Sequence, residues 1–596
     1  MIERARRTLR ETFGFPDFRD PQGEVVEHVL DGGDAFVLLP TGGGKSLCYQ
    51  IPALVREGVG LVVSPLIALM DDQVGALKQN GVRAAAWHSG LSAKEAWRLE
   101  RELEEGSIEI VYVSPERLFS DRFREMAPRL KLSVVAIDEA HCVSQWGHDF
   151  RPEYLQLGQI GNLFPGVPRM ALTATADIPT REEILDKLGL RAAKVFVRSF
   201  ARPNLSLRIG AKNEPRKQLL EFIRREHPGE SGIVYRQSRA EVEKTAEFLK
   251  GQGVKAIPYH AGLPAQARRD AQASFLRDEG VVVVATIAFG MGIDKPDVRF
   301  VAHLDLPRSI EAYVQETGRA GRDGLPSDGW MLYGFQDIAV ARSMIQNSEA
   351  PEERKRVELA KLNQLLGLCE TAQCREQAVL LYFGETGAQP CGRCDNCAAP
   401  PVTWDGTQAA QKALSAVART GERFGASHLV DILLGESTEK VVKFGHDKLP
   451  TFGVGKDIAK PEWLAIFRQL ASQDLLGVNL AEHGQVVLTA GSWEVLRGKR
   501  TVALRRVEPK ARRKATKVLT SDRPADPGLF QSLRALRREL ALEQGVPPFV
   551  VFSDKSLLDM VRIRPTDELE FSQVHGVGGT KARRYGERFL EAIRAG

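Results

Sequence analysis

The run Ala35-Phe36-Val37-Leu38-Leu39, followed after one proline by Thr41-Gly42-Gly43-Gly44-Lys45-Ser46, constrains this chain more than any other stretch. Five apolar residues read as a buried strand. The glycines let backbone N–H groups turn inward without Cβ clashes, and such a nest at a helix start attracts phosphate. Lys45 adds a point charge for the β- and γ-phosphates, and the Ser46 hydroxyl suits Mg²⁺. The place of the usual leading glycine is taken by Leu39, so the cradle is a variant. A strand, a phosphate loop and a helix in that order belong to a parallel α/β sheet.

A second apolar run, Val134-Val135-Ala136-Ile137, leads into Asp138-Glu139-Ala140-His141. Asp138 then sits at a strand end, where a carboxylate holds Mg²⁺ through water. Glu139 is next to it and is the candidate for orienting or deprotonating the attacking water. Phosphoryl transfer asks for little more than this positioning and charge neutralisation. A third element, Gln315-Glu316-Thr317-Gly318-Arg319-Ala320-Gly321-Arg322, offers Arg319 and Arg322 to the charge that develops on phosphate. The planar fork of arginine suits that task, and such a finger raises transfer rates by roughly 10³–10⁵. Its distance from the cradle implies a second domain that closes over the nucleotide.

The 596 residues have room for several domains, and 43% apolar content is ordinary for globular cores. A net charge of +5 does not by itself establish a polyanion partner. Met1-Ile2-Glu3-Arg4-Ala5-Arg6-Arg7 leads into no apolar signal region, and runs such as Val281-Val282-Val283-Val284-Ala285 are strand length, so a soluble cytoplasmic, nucleoid-associated protein is expected. Five of the seven cysteines fall between residues 369 and 397, which argues for metal rather than disulfides. Cys391, Cys394 and Cys397 supply three thiolates, with Cys374 and Cys369 as candidates for the fourth. Four thiolates suit a closed tetrahedral Zn²⁺ site; an iron–sulfur cluster is the rival.

Strand-length runs alternate with helical stretches over residues 1–200 and again over 201–335, which predicts two α/β domains with nucleotide between them. Residues 336–402 form a helical cysteine-bearing module, and 403–510 a mixed domain with a hairpin between Leu475 and Leu488. Residues 499–517 hold nine Lys or Arg against one Glu and read as a solvated face, the basic linker proper covering 511–527. A small all-α unit is expected over 528–596.

In this order the motifs resemble the RecQ family of superfamily 2 DNA helicases along nearly the full chain. Phe13-Gly14-Phe15-Pro16-Asp17-Phe18-Arg19-Asp20-Pro21-Gln22 resembles the family's adenine-recognition segment, with Pro21 where glycine is usual. Ser64 to Met70 and Ala171 to Ala176 resemble its coupling motifs, and Gly290-Met291-Gly292-Ile293-Asp294-Lys295 and Gln315 to Arg322 resemble its fifth and sixth motifs. The resemblance implies two RecA-like domains, a zinc module, a winged helix and an HRDC domain. It implies adenine contacts from Gln22 and Arg19 with Phe15 near the base. It also implies 3′→5′ unwinding driven by ATP and Mg²⁺. The cysteine order is similar to that of the family's zinc module, which selects Cys374 as the fourth Zn²⁺ ligand.

Cys142-Val143-Ser144-Gln145-Trp146-Gly147-His148-Asp149-Phe150-Arg151-Pro152-Glu153-Tyr154 resembles the family's aromatic-rich loop, which couples single-strand contact to hydrolysis. Trp146, His148, Phe150, Arg151 and Tyr154 are its candidate coupling residues, since stacking on aromatics contributes roughly 1–3 kcal/mol per base. Residues 403–498 resemble the family's winged helix, especially Lys443 to Leu449, and the hairpin tip carries His483, either against the duplex junction or in solvent. In the HRDC-like tail, Gly576-Val577-Gly578-Gly579-Thr580-Lys581 is a candidate phosphate turn with Arg583 and Arg584 beside it. The implied partners are single-stranded and duplex or branched DNA, with single-strand-binding protein as a further candidate and no membrane. An RNA helicase and an ATP-gated DNA scaffold remain as rivals.

Overall fold

The structure, a computed structural model, describes residues 1–144, 150–287, 289, 295–479, 485–506 and 525–595. Trp146, His148, the Gly290–Asp294 motif and His483 lie outside the described residues.

The first lobe is built on β1 (Ala35–Leu38), β2 (Val59–Val63), β3 (Ala84–Trp87), β4 (Ile110–Val113), β5 (Leu132–Ile137), β6 (Arg169–Thr173) and β7 (Lys194–Val197). They form one parallel sheet in the order β3-β4-β2-β5-β6-β1-β7. Alternation along each strand feeds two cores. Phe36, Leu38, Leu61, Val63, Val135 and Ile137 enter one face. Val37, Val62, Val134 and Ala136 enter the other, under the helices Ile2–Phe13, Gln22–Leu30 and Lys45–Val55. Strands this apolar on both faces need helices above and below them.

The second lobe repeats the design with β8 (Leu205–Ala211), β9 (Ser231–Tyr235), β10 (Ala256–Tyr259), β11 (Val282–Ala285), β12 (Val298–His303) and β13 (Ser327–Tyr333), in the parallel order β10-β11-β9-β12-β13-β8. The C-terminal ends of β1 and β5 of one lobe, and the Gln315–Arg322 segment after β12 of the other, meet at the cleft.

A long helix, Glu352–Glu370, leaves the second lobe and carries the cysteine module. Residues beyond it form helices Thr407–Arg419, Ala426–Leu434 and Lys460–Ser472 and the antiparallel pair Leu476–Asn479 with Gln485–Leu488, a helix-and-wing arrangement. Ala503–Arg505 pairs with Thr403–Asp405. In the basic run Lys499, Arg500 and Arg506 are exposed, as a solvated face requires, but Arg505 is not: it donates to Cys369 O at 3.4 Å and to Asn396 at 3.2 Å. Helices Pro527–Gln544, Asp554–Ile563 and Gly579–Ala595 enclose a separate small core around Phe552, Phe571 and Phe589. Among the described residues no helix is long and apolar enough to cross a membrane.

Candidate active site and zinc centre

The phosphate loop joins β1 to the helix Lys45–Val55. Gly42 and Gly44 have φ of 80° and 78°, a region that L side chains rarely enter. Gln22, almost fully buried, lies against the loop: its Nε2 donates to Gly44 O at 3.0 Å and Gly43 O at 3.4 Å, and its Oε1 accepts from Arg19 N at 2.9 Å. A Cβ on Gly44 would collide with that amide. Lys45 Nζ donates to Leu39 O at 3.2 Å, which holds the ammonium over the loop.

Asp138 and Glu139 stand at the C-terminal end of β5, where ligands of open α/β sheets bind. Asp138 is pushed up to about 7, first by burial and then by the Glu139 carboxylate, with Lys45 opposing. Glu139 has φ 48° and ψ 45°, an uncommon left-handed conformation for a side-chain-bearing residue. Its Oε2 lies 3.3 Å from His141 Nδ1, which also meets Thr173 Oγ1 at 2.9 Å. The acidic segment is thereby linked to the end of β6.

The described flank of the aromatic-rich loop returns to the same place. Arg151 Nη1 donates to Pro65 O at 2.8 Å, and Tyr154 Oη donates to Asp138 O at 3.0 Å. Tyr154 is fully buried, so it cannot offer a stacking face to a base; it anchors the loop to the acid. Phe150 is partly exposed.

Across the cleft, the Gln315–Arg322 segment touches the phosphate loop directly. A Cβ built on Gly318 would lie 3.2 Å from Thr41 Cβ, and one on Gly42 would lie 3.7 Å from Arg322 Cα. Arg319 is buried near Tyr235. Sequence reasoning missed Arg202, between β7 and β8. Its guanidinium donates to Thr41 O at 2.7 Å, Gly318 O at 3.2 Å, Ala320 O at 2.9 Å and Gly321 O at 3.2 Å.

The Sγ atoms of Cys374, Cys391, Cys394 and Cys397 all lie within 4.8 Å of one another. A tetrahedron with arms of about 2.3 Å has edges of about 3.8 Å. The pairs Cys391–Cys397 and Cys374–Cys394 are each 3.9 Å apart. Backbone N–H groups of Arg375, Cys391, Cys394 and Cys397 point at these sulfurs at 3.3–3.4 Å, which suits thiolates. The four residues fit a structural zinc ion. Cys369 is buried and outside the set.

The HRDC-like unit lies over the Phe13–Gln22 segment. Phe15 and His575 have ring centroids 5.5 Å apart, and Gly576 N donates to Gly14 O at 3.1 Å. Lys581 is directed inward, donating to Val550 O at 2.8 Å, and Arg584 donates to Gln79 at 3.0 Å. The expected phosphate turn is thus packed on the first lobe. Arg534 reaches Glu279 of the second lobe at 2.8 Å, so the unit spans both.

Two stacked parallel-sheet lobes, with a phosphate loop and paired acids on one and an arginine loop on the other, define a superfamily 2 helicase core. Residues 19–184 match the DEAD/DEAH box helicase family and 214–324 the helicase conserved C-terminal domain. Residues 335–398 match the RecQ zinc-binding family, 400–513 the RQC domain and 526–593 the HRDC domain. The chain is 42% identical over 593 residues to "ATP-dependent DNA helicase RecQ" of Pasteurella multocida, covering 98% of this chain and 93% of that one. It is 39% identical over 597 residues to the protein of the same name from Bacillus subtilis, covering 100% and 99%. The chain belongs to the RecQ family of ATP-dependent DNA helicases.

Proposed function

We propose that this protein hydrolyses ATP to move 3′→5′ along single-stranded DNA and to open duplex or branched DNA in repair and recombination. The observation that carries the reading is the direct packing of the arginine loop on the phosphate loop, with Gly318 against Thr41 and Arg322 beside Gly42. A nucleotide held there lies between the lobes, so its turnover works the cleft.

In this reading the Thr41–Gly44 backbone, Lys45 and Ser46 hold the phosphates, and Gln22, Arg19 and Phe15 hold the base. Asp138 and Ser46 are the candidate holders of Mg²⁺, which supplies neutralising charge to the phosphates when bound. The buried, charge-starved Asp138 carboxyl fits a cation. Glu139 takes the proton of the attacking water, and Arg319 and Arg322 meet the charge that develops on the transferred group. Strand contact at the aromatic-rich loop reaches Asp138 through Tyr154 and Arg151. Trp146 and His148 belong to this DNA-coupling role, and His483 to the wing.

The test is ATP hydrolysis with and without single-stranded DNA, together with unwinding of DNA and RNA duplexes bearing a 3′ or a 5′ tail. DNA-stimulated hydrolysis and opening of the 3′-tailed DNA are expected. Preferential opening of the RNA duplex would transfer the protein to the RNA helicases, and a 5′ preference would reverse the polarity. For zinc, Cys397→Ser is expected to lower metal content and melting temperature together, because binding of structural zinc is coupled to folding. Metal analysis of the purified protein with one zinc per chain checks it.

A further inference from the structure

Arg202 lies in the connection between the lobes, and its side chain does not return to either sheet. Its two Nη atoms fork across four carbonyl oxygens on opposite sides of the cleft: Thr41 of the phosphate loop, and Gly318, Ala320 and Gly321 of the arginine loop. A lysine ammonium cannot span these positions, whereas a planar guanidinium can. The group is largely withdrawn from water next to a second guanidinium, Arg322; burial first, then that neighbour, pushes it down to about 10. Asp323 opposes this shift, and an anion arriving between the lobes would offset both guanidinium charges.

The main chain of Arg202 is fixed from a third direction. Arg202 C=O accepts from Arg393 Nη2 at 3.0 Å, and its N–H donates to Glu376 Oε2 at 3.4 Å. Arg393 and Glu376 pair with each other. Arg393 stands between Cys391 and Cys394, and Glu376 is in the helix that follows Cys374. Two residues on, Asn204 Nδ2 donates to Gly321 O at 2.8 Å, a second hold on the arginine loop. The cysteine module thus fixes the backbone, and the side chain fixes the register of the loops that flank the transferred phosphate.

We propose that Arg202 is a positioning residue for phosphoryl transfer, keeping the loop that carries Arg319 and Arg322 in register with the phosphate loop. This rests on the reading that Arg319 and Arg322 meet the developing phosphate charge. It assigns Arg202 no contact with the reacting atoms; it acts through Arg319 and Arg322.

The experiment uses the full chain with single-stranded DNA and ATP, and compares Arg202→Ala, Arg202→Lys, Arg322→Ala and the Arg202→Ala/Arg322→Ala double variant. A displaced finger loop costs about 10²-fold in rate, so Arg202→Ala is expected to lose about that much kcat while KM for ATP, zinc content and melting temperature hold. Arg202→Lys, which keeps the charge and loses the fork, is expected to recover only part of kcat. Residues that act as one unit are not additive, so the double variant should lose less than the product of the two single losses. An Arg202→Ala kcat equal to that of the unsubstituted protein overturns the proposal, and so does full recovery by lysine or a double variant in which the two losses multiply. If Arg202→Ala loses zinc or melts early, Arg202→Lys carries the same comparison. Failure of the underlying reading looks different: Arg319→Ala and Arg322→Ala would then both turn over normally, whatever Arg202→Ala does.

Discussion

Two glycine-rich turns of this protein open a helix and carry a lysine, and they do opposite things. In the first, Gly42 to Gly44 precede the helix Lys45–Val55, and the turn is bordered by Gln22, Asp138 and the arginine loop. In the second, Gly576 to Gly579 lead into the helix Gly579–Ala595, and the turn rests on the end of the helix Ile2–Phe13. A Cβ on Gly578 would lie 2.8 Å from Thr12 O and 3.0 Å from Glu11 O. In the proposed reading the first turn faces a nucleotide, with its glycines admitting Gln22 and the arginine loop, whereas the glycines of the second make room for a neighbouring helix end. Lys45 crosses over its loop to Leu39 O; Lys581 is half-buried, reaches Val550 O and is pushed down by desolvation to about 8. Composition does not distinguish the two turns; the surface packed against each one does.

The comparison breaks most sharply at the lysines. Lys45→Ala is expected to lower ATP turnover by at least about 10²–10³-fold, the scale for removing one donor from a preorganised charged site, with single-strand binding retained. Lys581→Ala is expected to leave turnover unchanged and to lower the melting temperature of the C-terminal unit. Steady-state hydrolysis and calorimetry on both variants check this, and an inactive Lys581→Ala would make the second turn part of the chemistry. A smaller effect is expected at Gly578. Gly578→Ala should lift the C-terminal unit from the first lobe, seen as a larger radius of gyration in X-ray scattering, while hydrolysis persists. An unchanged radius would mean that the contact tolerates the methyl group.

The smallest expected effect is a pH response of the same contact. Burial first, then Lys555 and Arg19, lower His575 from 6.5 to about 4, so the docked form holds it neutral. A base with a depressed folded value contributes stability above its ordinary value and loses it as pH falls through the depressed one. Docking should therefore be complete above pH 6.5 and weaken progressively between about 6.5 and 4. His575→Phe should remove that dependence, and scattering curves across the range measure it. A contact that loosened at high pH would contradict the assignment.

The phosphate loop, the acids and three of the four clustered cysteines were legible because each is written in a short stretch whose neighbours along the chain define it, whereas Cys374 was selected over Cys369 only by the family resemblance. β1, the turn and the helix after it are one local unit, and so is Cys391 to Cys397. The candidate roles of Tyr154 and Lys581 were harder to read, because their burial is decided by remote partners. Arg202 was not legible at all: the residues it holds are 116 to 161 positions away, and an arginine between two strands carries no local signature. The same holds for His575 against Phe15, and for Arg505, which a run of basic residues places in solvent and β-pairing places against the cysteine module.

Glu139 keeps its backbone in the left-handed region and its carboxylate beside that of Asp138. Non-glycine residues in such a conformation cost of order 1–3 kcal/mol, and the neighbouring acid adds repulsion. A selection for heat resistance alone would favour glycine at this position, relieving both. The protein that melted latest would then be one that had lost its candidate base. In the proposed reading a glutamate there sets durability against turnover, and the unfolding temperature would misrank variants of this chain.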